Sequence, residues 1–222
     1  MMGKTHKVGG ILAGLVVSKF FFTADFISTG IYTVSLMSGS ILGSLLPDID
    51  KKESTIGRVL WFISWPIYLL RMILKLLTRI LPGLIKKPFM KLDNCLAHRG
   101  IAHSILTWLS LSACLWFGQS FINITVLSWV KETSGVETLL LRNGIFAFSC
   151  GVSIGMISHI FLDLFTDDGE ALLLPISNFK FKIPLIKTGG FLEVVVRYAM
   201  IIASLLVAKQ EFYNYFSWRK NI

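Results

Sequence analysis

Residues 27–46 read ISTGIYTVSLMSGSILGSLL, an uncharged stretch followed at once by Pro47-Asp48-Ile49-Asp50. A hydrocarbon core about 30 Å thick needs about twenty apolar residues of helix, so this stretch predicts a membrane-spanning helix. Small residues recur along it at Gly30, Ser35, Ser38, Gly39, Ser40, Gly43 and Ser44. They let helix backbones approach closely, which predicts a central place in a bundle. Pro47 disfavours helical geometry at Leu46 and closes the helix. In extended chain, residues two apart project to one side, so Asp48 and Asp50 are expected to face one ligand.

The same block-like hydropathy continues in both directions. Of the 222 residues 54% are hydrophobic and only 16% charged, which excludes an ordinary soluble domain. Val8–Phe22 is a short apolar run behind a basic start. It resembles a signal peptide, but no small-x-small cleavage site follows and Thr23-Ala24-Asp25-Phe26 leads directly into the next run, so it reads as a first membrane helix. Further spans are expected at Ile101–Ile122, Gly144–Phe165 and Phe191–Ala208, with a polar connection over Asn123–Asn143. Between Val59 and Leu81, Arg71, Lys75 and Arg79 fall at i, i+4 and i+8, on one face of an otherwise apolar helix. Burying each cation at the bilayer centre costs about 2.5–3.5 kcal/mol, whereas an amphipathic helix lying on an anionic membrane avoids that cost. The expected fold is all-α: one integral membrane domain over 1–222, a bundle of about five transmembrane helices plus one basic interfacial helix within a cytoplasmic loop, 51–100.

The net charge of +9 sits mostly beside apolar blocks, which suits anionic lipid headgroups better than nucleic acid, and no direct nucleic-acid binding is expected. The loop holds Lys51, Lys52, Arg58, Arg71, Lys75, Arg79, Lys86, Lys87, Lys91 and Arg99, while the Asn123–Asn143 connection holds Lys131 and Arg142. The positive-inside rule then puts the N-terminus in the cytoplasm. Cys95, Cys114 and Cys150 are odd in number and lack a CxxC pair, so they are expected to be small buried hydrophobes.

With that topology every unusual polar residue falls at one membrane face. His6 opens the first span, Asp48 and Asp50 leave the second, and His98 and His103 precede the third within His98-Arg99-Gly100-Ile101-Ala102-His103-Ser104. His159 and Asp163, at i and i+4, close the fourth. Gly100 is expected to break the chain so that His98 and His103 converge. Ionisable groups in membrane spans are functional by default. Mixed imidazoles and carboxylates suit zinc, manganese or iron, and seven donors exceed the four or so that one tetrahedral ion needs, so the expected centre is mononuclear or a pair of ions sharing an Asp. Such a centre carries net positive charge, attracts an anionic substrate and activates water. Arg99 reads either as a phosphate clamp or as a partner of Asp48 or Asp50. Glu193 reads either as neutralised by Arg197 or as a general base or extra ligand, and Ser104 as a helix-start hydroxyl. Asp167, Asp168 and Glu170 read as solvated loop.

Four blocks, Lys4-Thr5-His6 with Gly9-Gly10, Gly43 through Asp50, residues 98–104, and Ser158-His159 through Asp163, Thr166 and Gly169 to Leu174-Pro175, resemble the YdjM family. The family consists of bacterial inner-membrane proteins described as inferred metal-dependent hydrolases, some also as LexA-binding. The resemblance implies that His6, Asp48, Asp50, His98, His103, His159 and Asp163 are the family's polar positions, and admits a regulatory protein partner such as a LexA-type repressor. The chain departs from the family in its longer basic insertion between Asp50 and His98 and in Asp167-Asp168, where Pro commonly follows the Thr. The expected activity is hydrolysis of a membrane-associated phosphorylated or lipid substrate. The alternatives are a non-catalytic regulator with a structural metal and a metal carrier.

Overall fold

The computed structural model describes residues 1–21, 26–129 and 135–219, and helices account for almost all of its regular structure. In chain order these are α1 (Gly3–Ser18), α2 (Phe26–Gly43), α3 (Thr55–Val59), α4 (Trp61–Ile80), α5 (Gly83–Cys95), α6 (Ile105–Trp129), α7 (Gly135–Leu164) and α8 (Phe191–Arg219). Short 3₁₀ turns cover Leu46–Asp50 and Ile101–His103. Five helical segments are long and apolar enough to cross a membrane: Thr29–Asp50, Trp61–Ile80, Ile105–Ile122, Leu141–Leu164 and Phe191–Tyr213.

The centre of the molecule is the α2–α7 pair, and glycine explains why. A Cβ on Gly39 would lie 2.1 Å from the Phe148 carbonyl oxygen, one on Gly43 2.0 Å from that of Val152, and one on Gly155 2.0 Å from that of Ser40. The two helices therefore meet backbone to backbone through facing small-residue stripes. In lipid, where apolar surface gains little by leaving its neighbours, such packing and interhelical hydrogen bonds supply the association. Helix α1 packs on α2, α7 and α8, and α6 packs on α7. Ser40 Oγ donates to the Gly10 carbonyl at 2.7 Å, and Trp108 Nε1 to that of Ser153 at 2.9 Å. Each bond adds about 0.6–2 kcal/mol.

Several expectations are corrected. Helix α1 begins at Gly3, so His6 lies inside it, and at 16 residues it is shorter than a full crossing. Asp48 and Asp50 lie in a 3₁₀ turn that includes Pro47 instead of in extended chain, yet both carboxylates face one side chain, each 3.9 Å from a nitrogen of His103. Within the expected polar connection, helix continues to Trp129 and resumes at Gly135. Lys131 and Glu132 lie outside the described residues. Cys95 is buried, but Cys114 is exposed on α6.

Helix α4 qualifies as a crossing by length and composition, yet it packs on α3, α5 and the Leu46–Asp50 turn. Its inward residues are Ser64 and Leu74, while Trp61, Trp65, Leu69, Met72, Leu76 and Ile80 stand exposed. Arg71 turns inward to Asp93 of α5 at 3.3 Å, which leaves Lys75 and Arg79 exposed.

Candidate metal centre

The N-terminal end of α1 and the C-terminal ends of α2 and α7 converge, and the chain following α7 folds over them. Beyond Leu164 the segment is pinned by Ile183 N–H to the Leu164 carbonyl at 2.7 Å and by paired backbone bonds between Glu170 and Phe181. Into this enclosure His6, His103 and His159 project with no exposed surface, and Asp163 is 2% exposed. The 3₁₀ turn at Ile101–His103 delivers His103. Before it, Arg99 takes the left-handed conformation at φ 61°, and a Cβ on Gly100 would lie 2.3 Å from the Cys95 carbonyl oxygen. The turn expected at Gly100 therefore has its left-handed residue at Arg99, a conformation that costs a non-glycine residue about 1–2 kcal/mol.

All seven expected ligands come together. His6 stacks on His159 with ring centroids 3.6 Å apart, and His103 lies 5.2 Å from His159 and 5.3 Å from His98. Asp163 receives both sides of the stack, with His6 Nε2 at 3.2 Å from Oδ1 and His159 Nε2 at 3.5 Å from Oδ2. Asp48 Oδ1 stands 3.9 Å from His103 Nε2 and 4.0 Å from His159 Nε2. Ligands about 2.0–2.1 Å from a tetrahedral ion are separated by about 3.3 Å, so these distances lie at or slightly beyond an ion's coordination edges.

The hydrogen bonds leave nitrogen lone pairs free. His159 Nδ1 donates to the Ser44 carbonyl at 2.6 Å, so in the neutral ring the lone pair lies on Nε2, which has no hydrogen-bond partner among the described residues. His98 Nδ1 is 3.1 Å from Asp50 Oδ1, leaving its Nε2 for another partner. A metal-bound imidazole is commonly held in this way, by a carbonyl or a carboxylate on its other nitrogen. Asp50 is thus placed to orient His98, and its Oδ2 stays unpartnered. Among the described residues, neither nitrogen of His6 or of His103 has hydrogen-bond geometry to an acceptor. Burial, then the neighbouring His159, holds His103 well below the usual imidazole range and keeps it neutral, the form that binds metal. Orphaned buried nitrogens facing carboxylates fit a divalent ion. Among the described residues, three groupings have donor atoms mutually within 4.8 Å: His6–His159–Asp163, Asp48–His98–His103 and His103–Asp163–Glu170.

Arg99 pairs with neither Asp48 nor Asp50. It is buried, donates to Thr166 Oγ1 at 2.8 Å, and lies 3.5 Å from Asp163, 3.4 Å from Asp168 and 3.4 Å from Glu170. The amino group of Met1 also contacts Asp163. Glu193 forms no ion pair with Arg197 among the described residues. Its oxygens accept from the Met2 N–H and Thr5 hydroxyl, both at 2.6 Å, and from the Gly189 N–H at 2.7 Å, tying α8 to the start of α1. Ser104 Oγ accepts from the Thr107 N–H at 3.1 Å, as a helix-start hydroxyl does.

The acidic segment divides. Asp167 and Asp168 are exposed, but Glu170 is fully buried. Burial, then the charge of Asp163, pushes its carboxyl up to about 9. The sequence signal for Glu170 was an acid at the edge of the apolar run Ala171–Leu174, immediately after a turn-forming Gly169.

No solved structure matches the chain. A Bacillus subtilis (strain 168) protein described as uncharacterized protein YvsG is 28% identical over 205 residues, 92% of each chain. The Escherichia coli (strain K12) inner membrane protein YdjM is 25% identical over 172 residues, covering 77% of this chain and 65% of that protein. The family model described as YdjM inner membrane protein matches residues 1–218, and the chain belongs to that family.

Proposed function

We propose that the protein is an inner-membrane, metal-dependent hydrolase of a membrane-associated phosphorylated or lipid substrate, working at the cytoplasmic face with the N-terminus inside. The observation that supports this reading is the convergence of four histidines and three aspartates around unpartnered nitrogens at one end of the bundle. His6, His159 and Asp163 would hold one ion and Asp48, His98 and His103 a second, with Asp50 orienting His98. Zinc, manganese or iron suits such donors. When bound, the ions would supply Lewis acidity and lower the pKa of water.

The chain's own residues favour an anionic substrate. Asp48 and His98 line a cavity of about 400 Å³ that also carries Lys4, Lys51 and Arg58, cations placed to bind a phosphate beside the ligands. Arg99, already engaged by Asp163 and Glu170, positions those carboxylates instead of reaching into the cavity. The exposed Trp61 and Trp65, with Lys75 and Arg79, give α4 the character of an interfacial helix that concentrates anionic lipid near the opening. A carrier would hold its ligands near mid-membrane. Here His6 lies in the first turns of α1, and His159 and Asp163 in the last turns of α7.

Full burial of His6, His103 and His159 favours one alternative, a structural metal in a regulator. Purified protein loaded with manganese or zinc, incubated with phosphatidic acid or lipid diphosphates in mixed micelles, separates the two. Release of inorganic phosphate that disappears in His159→Ala supports the hydrolase. Stoichiometric metal with no turnover on any phosphorylated lipid supports the regulator.

A further inference from the structure

Glu170 lies outside the seven ligands above, and its position is fixed by backbone. Gly169 turns the chain at φ 66°, where a Cβ would lie 2.7 Å from the Phe181 carbonyl oxygen. Glu170 N–H then donates to that carbonyl at 2.8 Å, and Phe181 N–H returns a bond to the Glu170 carbonyl at 2.9 Å. The side chain is thereby aimed inward, with no exposed surface and, among the described residues, no hydrogen-bond partner for either carboxyl oxygen. Arg99 Nε, 3.4 Å from Oε1, is a charge contact without hydrogen-bond geometry. A buried carboxyl left unbonded is costly when ionised, so without a cation it keeps its proton, and a shared cation is what lets it ionise in place. One donor atom each from Glu170, His103 and Asp163 lie mutually within 4.8 Å, and both His103 nitrogens are also unpartnered.

We propose that Glu170 is a metal ligand of this chain, joining His103 and Asp163 at the second of the two ions, the one that Asp48 and His98 also flank, with Asp163 shared between it and the ion at His6 and His159. This rests on the metal reading above. It accounts for the burial of one acid in a segment whose other acids, Asp167 and Asp168, face outward. It also gives Arg99 a role, as the cation that keeps Asp163 and Glu170 aligned toward the ions.

The test is metal stoichiometry by elemental mass spectrometry after manganese or zinc loading and removal of free ions. Wild type is expected to retain about two equivalents and Glu170→Gln about one. Asp168→Asn, which removes only an exposed partner of Arg99, should retain both. Glu170→His supplies a different ligand and is expected to restore the equivalent that Gln loses. A mere counter-ion of Arg99 predicts the reverse, since histidine pairs poorly with a guanidinium. Wild-type stoichiometry and affinity in Glu170→Gln would overturn the proposal and leave Glu170 as that counter-ion. Likewise, a Glu170→His variant that binds no more metal than the Gln variant would overturn it. Wild type that binds no ion at all would overturn the metal reading itself, a different outcome from either.

Discussion

Gly155→Ala couples helix packing to the metal centre. The new Cβ would sit 2.0 Å from the Ser40 carbonyl oxygen, about 1.4 Å short of the 3.4 Å at which ordinary contact begins. The Cβ is fixed rigidly to the α7 backbone and the carbonyl is part of the α2 backbone, so relief requires α2 and α7 to separate by about that distance. Gly155 lies one turn before His159, and Ser40 one turn before Ser44, whose carbonyl accepts from His159 Nδ1 at 2.6 Å. A separation of this size stretches that bond to about 4 Å, beyond hydrogen-bonding range. Overpacking of this kind costs about 1–3 kcal/mol. Loss of the group that orients a ligand weakens metal binding about 10–100-fold. Thermal unfolding in detergent and calorimetric metal titration would measure both, with Gly118→Ala, whose Cβ meets nothing within 4 Å, as control. Wild-type stability and affinity in Gly155→Ala would refute the argument that α2–α7 contact sets the His159 position.

Asp50→Asn should weaken metal binding about 10–100-fold without abolishing it, because Asp50 orients His98; complete loss by calorimetry would make Asp50 a direct ligand. Glu193→Gln disturbs the bonds to Met2, Thr5 and Gly189 and should lower stability by about 1–3 kcal/mol in thermal unfolding. Unchanged stability with lost metal would instead assign Glu193 to the centre. In metal-free protein Glu170 favours the folded state when protonated, since its pKa rises from 4.5 to about 9 on folding. That contribution is full below pH 4.5 and declines as pH rises toward 9, by at most about 1.4 kcal/mol per pH unit. Unfolding midpoints measured in chelator should therefore fall across that range in wild type, and a Glu170→Gln variant with the same decline would contradict the assignment.

Hydropathy and small-residue spacing made the bundle legible. Gly39 and Gly43 announced a close helix contact, and the facing glycines of α7 complete it. The seven polar residues were legible because each interrupts or ends an apolar run, a position that lipid does not tolerate without reason. Local geometry was not legible. An extended reading of Asp48-Ile49-Asp50 placed both carboxylates on one side; the chain is a 3₁₀ turn instead, from which Asp50 reaches His98 and His103 and Asp48 reaches His103 and His159. Hydropathy marks where lipid ends, but helices continue past that point while backbone bonds can form, as α6 and α7 do. Helix α5 carries Pro88 inside it, a residue that usually signals interruption. Glu170 was hidden by its exposed neighbours Asp167 and Asp168; only the backbone pairing with Phe181 turns it inward.

The most direct test of the account is the metal content of detergent-purified protein, wild type beside His103→Ala and His159→Ala, by elemental mass spectrometry. The account predicts about two equivalents of zinc, manganese or iron in wild type, with loss of bound ion in both variants. A wild-type protein that retains no transition metal after chelator-free reconstitution, while remaining folded and monodisperse, would contradict it.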